Sequence, residues 1–146
     1  MIPIYKILVL NIGSITTRVA FFENHHLKLQ EIIGYDPQQV GSIIHYMDQF
    51  HLRRQGIVGF LEKHRIVFGD LHMIASRGGL TAPIDSGVYL IDELMCDDLR
   101  SGKYGQHPTN LGSLIAYDLA KQSGIRVVIV DSPSTVSYTH LRAHET

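Results

Sequence analysis

The sequence predicts an α/β domain in which a mixed sheet, begun by an antiparallel meander, is flanked by helices. Three observations carry that prediction. Residues 7–22 hold two apolar runs around a small polar turn, the pattern of a β-hairpin. Two later stretches repeat apolar residues at the three-and-four spacing of amphipathic helices. Residues 126–131 form a continuous apolar run ending in a carboxylate, as a buried strand of an α/β sheet does.

Composition bounds the rest. At 146 residues the chain has enough material for one domain with a real core. Charged residues make up 18% of it, below the usual share of about 25%, which suits a protein with some surface meant for a partner. A net charge of −1 lacks the basic excess of a nucleic-acid binder. The single cysteine, Cys96, excludes an internal disulfide and suits a reducing cytoplasm. No apolar run approaches the roughly 20 residues that span a bilayer, and the apolar start leads into a polar turn instead of a signal cleavage site. The expectation is a cytoplasmic protein acting on neither membrane nor nucleic acid.

Taken in order, Asn11, Gly13, Ser14 and Thr16 fall in the first turn. Successive backbone N–H groups with two hydroxyls make an anion cradle there, although the same letters also spell a plain surface hairpin. It is not a Walker loop, because no Gly-Lys-Ser/Thr follows and no helix opens. A second turn at residues 23–26 leads to a third strand over 27–33, ended by Gly34. The adjacent His25 and His26 are expected to diverge, without a third metal ligand at a useful spacing. Asp36 caps, and Pro37 opens, one helix reaching to about residue 55, with Val40, Ile43, Ile44, Met47, Phe50 and Leu52 on its stripe. Gly56 is expected to break it before a short helix over 57–63.

A strand is expected at 71–75, and Arg77 leaves it into Gly78 and Gly79. The planar guanidinium fork matches carboxylate and phosphate oxygens in pairs, and the glycines would let backbone and ligand approach closely. A glycine turn with a solvated arginine fits as well. A short strand at 88–91 precedes a helix capped by Asp92, on which Cys96 reads as an inert, partly buried thiol. Thr109 is expected to cap a helix over 110–122, with Leu111, Leu114, Ile115 and Leu119 on its stripe. His107 stands just before that helix, where the helix N-terminus also points, or it is a solvated loop histidine. Asp131 ends the last strand at the carboxyl edge, where α/β sheets place their crevices.

Four stretches together resemble the acetokinase family of the ribonuclease-H-like, actin-like ATPase superfold, and within it the butyrate kinase branch. They are Val-Leu-Asn-Ile-Gly-Ser-Ile-Thr-Thr-Arg at 9–18, Arg-Gly-Gly-Leu-Thr-Ala-Pro-Ile at 77–84, Leu-Arg-Ser-Gly-Lys-Tyr-Gly-Gln-His-Pro-Thr-Asn-Leu-Gly at 99–112 and Val-Ile-Val-Asp at 128–131. Their order and spacing agree with the family from residue 7 to about 133. Asn11, where many relatives carry Asp, favours the acetokinase branch, and the short Arg-Gly-Gly-Leu form favours butyrate over acetate kinase.

The resemblance implies reversible, ATP-dependent phosphorylation of a short-chain carboxylate, butyrate or a branched analogue, with acetate or propionate as alternatives. It implies that Asn11, Gly13, Ser14, Thr16 and Arg18 hold the phosphates, and that Arg77, His107 and Asp131 are catalytic. Asn11 and Asp131 would hold Mg2+ or its water. Arg18 stands where the family usually carries lysine, keeping the charge with a different geometry. A homo-oligomer of the full-length protein is compatible with this. The family's chains are much longer, and their second domain supplies the adenine pocket and further phosphate loops. Residues 1–135 are therefore expected to be an incomplete N-terminal domain. Residues 136–146 match nothing in the family and resemble translated sequencing-adapter read-through, so a foreign, disordered tail is expected. Two other readings stand beside the kinase: a non-catalytic phosphate- or partner-binding half-domain, and an unrelated small α/β binding protein.

Overall fold

The computed structural model describes residues 3–41, 43–82, 84–85, 87–121 and 123–130, and the backbone of 135–136; at 43, 44 and 84 it likewise describes the backbone alone. Asp131, with its proposed catalytic and magnesium roles, and residues 137–146 lie outside the described residues.

β1 (Lys6–Ile12) and β2 (Thr16–Glu23) form the expected hairpin, and β3 (His26–Gly34) extends it antiparallel. β1 then pairs parallel with β4 (Met73–Arg77), and β4 pairs parallel with β7 (Arg126–Val130). β6 (Val88–Leu90) closes the far edge antiparallel to β7. The six-stranded order is β3-β2-β1-β4-β7-β6, a mixed sheet with three parallel strands at its centre. A separate pair joins β5 (Ile84–Asp85) to β8 (Thr135–Val136).

Strand alternation sorts the faces. Leu8, Leu10 and Ile12 of β1, Val19 and Phe21 of β2 and Ile74 of β4 are buried in one apolar cluster. Against them pack Ile57 and Phe60 of α2 (Phe50–Lys63), Cys96 and Leu99 of α3 (Glu93–Ser101) and Leu111, Leu114 and Ile115 of α4 (Asn110–Ala120). Asp92 caps α3 as expected, its carboxylate accepting from the Met95 amide at 2.8 Å. Burial pushes the Cys96 thiol up to about 11, which keeps it unreactive and fully, not partly, buried.

Several expected elements fall differently. The stretch after Pro37 is not one helix. α1 (Pro37–Val40) stops after a single turn at Gly41, whose φ of 64° is left-handed, and a 3-10 segment (Ile43–Gln49) leads into α2. The break rotates the buried stripe, so Tyr46, Gln49 and Arg53 face inward in place of Met47, Phe50 and Leu52, which are half-buried. Gly56 does not end the helix. It lies within α2 because a Cβ there would meet the Tyr35 hydroxyl at 2.7 Å, so the glycine serves close packing. The strand expected at 71–75 begins two residues later, since Phe68–Asp70 forms a 3-10 turn first. His25 and His26 do not diverge: their ring centroids are 4.1 Å apart across the turn.

Candidate functional site

A cavity of about 530 Å³ opens at the carboxyl ends of the three parallel strands, lined by Val9, Leu10, Asn11, Ala75, Ser76, Arg77 and Val130. This is where an α/β sheet presents its chain ends and loop amides to a ligand. Register explains the membership. Asn11 pairs with Arg18 across β1 and β2, and Arg77 pairs with Val130 across β4 and β7. Leu10 pairs with Ser76, so one residue further along both strands Asn11 comes beside Arg77. Arg18, Asn11, Arg77 and Val130 thus form a row across four strands, on the face turned away from the helices. Neighbouring strands are about 4.8 Å apart, which puts the two arginines about 10 Å apart at the backbone. Both are exposed. Sequence reasoning placed Asn11 in the turn; it is the last but one residue of β1, and the turn proper is Gly13–Ile15.

That turn is held from below. Gly13 N–H donates to Thr16 O at 2.9 Å, closing the hairpin. Arg53 of α2, fully buried, reaches up from the core and spends all five of its N–H donors. Nη1 donates to Thr16 O at 2.7 Å and Thr17 Oγ1 at 3.1 Å; Nη2 donates to Gly13 O at 2.9 Å and Ser14 O at 2.8 Å. Nε donates to Gln49 Oε1 at 3.0 Å, and the guanidinium carbon lies 4.7 Å from the Tyr35 ring centroid. Burial lowers the Arg53 pKa from its ordinary value, with nearby Tyr35 working in the opposite direction. Sequence reasoning missed this residue. The only signal was an arginine where the helical phase, once shifted by the break at Gly41, points into the core.

His107 is not part of the cavity lining. Its role at α4 is nevertheless definite. Thr109, expected to be the cap, is already helical (φ −58°, ψ −24°), and its hydroxyl is buried without a partner among the described residues. His107 takes its place: Nδ1 accepts the Thr109 amide at 3.1 Å across Pro108, a turn residue. With Nδ1 accepting, the neutral ring carries its proton on Nε2 and has that one N–H left to offer. Burial lowers the His107 pKa, favouring this neutral form.

Asn110, fully buried, ties the loops of this end together. Its Oδ1 accepts the Leu80 amide at 2.8 Å, while Nδ2 donates to Gly105 O at 3.0 Å and Leu99 O at 3.3 Å. A Cβ on Gly79 would lie 2.5 Å from Asn110 Oδ1, so this glycine admits the start of α4. A Cβ on Gly112 would lie 2.5 Å from Ser76 Oγ and 3.6 Å from Arg77 O. The start of α4 is therefore pressed onto the end of β4 that carries Arg77.

The sheet and its flanking helices define the class: a ribonuclease-H-like, actin-like ATPase fold. Solved structures sharing it include acetate kinase from Entamoeba histolytica, at a TM-score of 0.55 and 15% identity over 92% of this chain and 37% of that one. A propionate kinase from Francisella tularensis subsp. tularensis SCHU S4 aligns at a TM-score of 0.53 and 17% identity, over 87% of this chain and 36% of that one. Acetate kinase from Porphyromonas gingivalis gives 0.50 and 16% over 87% and 37%. At these identities the likeness is one of fold. The chain spans little more than a third of the length of these kinases. No protein-family model matches it.

Proposed function

We propose that this chain forms the phosphate- and acyl-binding wall of an ATP-dependent carboxylate kinase, with butyrate or a branched short-chain acid as acceptor. The observation that supports this best is the row Arg18, Asn11, Arg77, of which Asn11 and Arg77 line the strand-end cavity while Arg18 stands one strand outside it. Two arginines whose backbones stand about 10 Å apart suit a substrate with a carboxylate at one end and a polyphosphate at the other.

In the proposed reaction an acceptor carboxylate oxygen forms a bond to the terminal phosphorus while the bond to the ADP oxygen breaks. An acyl phosphate and ADP result, and no proton is moved. Such transfer needs positioning and charge neutralisation more than covalent help. Arg77 holds the acceptor and the equatorial oxygens, the His107 Nε2–H adds a neutral donor, and Arg18 with the turn at 13–16 holds the phosphates. These donors fit a polyphosphate. Magnesium is fitted less completely: Asn11 contributes an amide oxygen, and the described residues hold no cluster of three His, Cys, Asp or Glu. Mg2+ keeps several waters and leans on phosphate oxygens, so one or two protein oxygens suffice; when bound it neutralises phosphate charge.

The test is trapping of acyl phosphate as hydroxamate from ATP with butyrate, isobutyrate or acetate, using the complete product of the gene that carries this sequence. Butyrate or isobutyrate is expected to outperform acetate, and Arg77→Ala to lower kcat/KM on the order of 100-fold or more. A folded, complete protein that yields no hydroxamate with any of the three acids would falsify the proposal. Because the chain spans little more than a third of the kinases' length, the 146-residue polypeptide by itself is proposed to bind phosphate without turnover.

A further inference from the structure

Arg53 is a cation in an apolar interior, and among the described residues it has no carboxylate partner. Its neighbours are three peptide carbonyls, a hydroxyl, an amide oxygen and a tyrosine ring. A buried charge without a counter-ion is costly, and hydrogen bonds from neutral groups offset only part of that cost. The carbonyls it binds determine what the turn shows to solvent. Peptide groups are planar and trans, so each C=O points opposite to the N–H of the next residue. Drawing Gly13 O and Ser14 O inward therefore turns the Ser14 and Ile15 amides outward. Neither amide has a hydrogen-bond partner among the described residues, and both residues are exposed.

We propose that Arg53 is a positioning residue for anion binding: from beneath the hairpin it fixes the Ser14 and Ile15 amides outward and lends them a positive charge whose counter-ion is a bound phosphate. The residue itself touches no ligand; it acts through two peptide groups it polarises. This rests on reading the turn as the phosphate wall of the proposed kinase, and it extends that reading to a side chain outside every motif of the resemblance.

The test uses pyrophosphate as probe, with the 146-residue chain labelled with nitrogen-15. In the wild type the Ser14 and Ile15 amide resonances and the Arg77 Nε resonance are expected to move together on titration. Arg53→Lys keeps the charge but not the fork, and is expected to weaken binding about tenfold; Arg53→Gln is expected to weaken it further. Since either variant could fail to fold, Gln49→Glu provides the independent measurement. It places a carboxylate against Arg53 Nε and supplies the absent counter-ion internally, at the cost of the Gln49 Nε2 donation to Val40 O at 2.7 Å. It is expected to weaken pyrophosphate about tenfold in the folded protein. A purely structural Arg53 predicts unchanged affinity in Gln49→Glu, and that result would overturn the inference. Movement of Arg77 Nε without the two amides would also overturn it and leave the kinase reading standing. Movement of none of the three would overturn both.

Discussion

Gly112 illustrates how a single hydrogen atom sets the approach of two elements. Any Cβ there would lie 2.5 Å from Ser76 Oγ, a contact that real structures do not tolerate. Gly112→Ala would gain about 1 kcal/mol of helix propensity and lose about 1–3 kcal/mol to overpacking against β4. Net destabilisation is expected in urea unfolding, and it should shrink or reverse in a Ser76→Ala background, where the colliding oxygen is gone. Strictly additive effects of the two substitutions would rule this contact out as the cause. A helical glycine is visible in the sequence, but its reason is a partner 36 positions away, which no local pattern encodes. The same holds for Gly56 against Tyr35 and Gly79 against Asn110. Arg53 was illegible for a related reason: beside Arg54 it reads as part of a solvated helix face, and only the shift of phase at Gly41 turns it inward.

Elements were legible where one local force decides them. The hairpin follows from apolar alternation around Gly13–Ile15, α3 from the Asp92 carboxylate, and β7 from its uninterrupted valines and isoleucine. They were misread where a side chain overrules the usual preference, as at α4, whose first turn is started by His107 and not by Thr109. That substitution has a consequence with pH. The pKa of folded His107 lies below its ordinary value of 6.5, so the unfolded chain binds more protons as the solution is acidified. The contribution of this cap to stability is therefore present above pH 6.5 and is lost as pH falls through the lower folded value. Protonation of Nδ1 would also abolish its ability to accept the Thr109 amide. His107→Asn, which retains a short acceptor at the cap but no titration, is expected to flatten the stability profile between neutral pH and about pH 5 relative to wild type. Parallel profiles from chemical unfolding across that range would contradict the assignment.

At the scale of the whole molecule, the sheet brings positions 11, 18 and 77, which no spacing rule connects, into one row across three strands. The resemblance of four stretches to the acetokinase family singled them out, and the register of β2, β1 and β4 gives the physical reason they belong together. The two arginines of the row are proposed to differ in task. Arg18, exposed on β2 beside Asn11, serves as a charge, where direction matters little. Arg77, at the end of β4, faces planar carboxylate and phosphate oxygens, where the fork matters. Arg18→Lys is accordingly expected to change pyrophosphate affinity by less than about threefold, while Arg77→Lys weakens it about tenfold or more. Both exposed cations are screened over roughly 10 Å at 0.1 M salt, so affinity should fall as ionic strength rises, and the slope should be shallower once either arginine becomes alanine. Titration calorimetry of the four variants at two salt concentrations decides it. Equal losses for the two lysine substitutions would mean that Arg77 acts as a bare charge, and the carboxylate-clamping role assigned to it would fall.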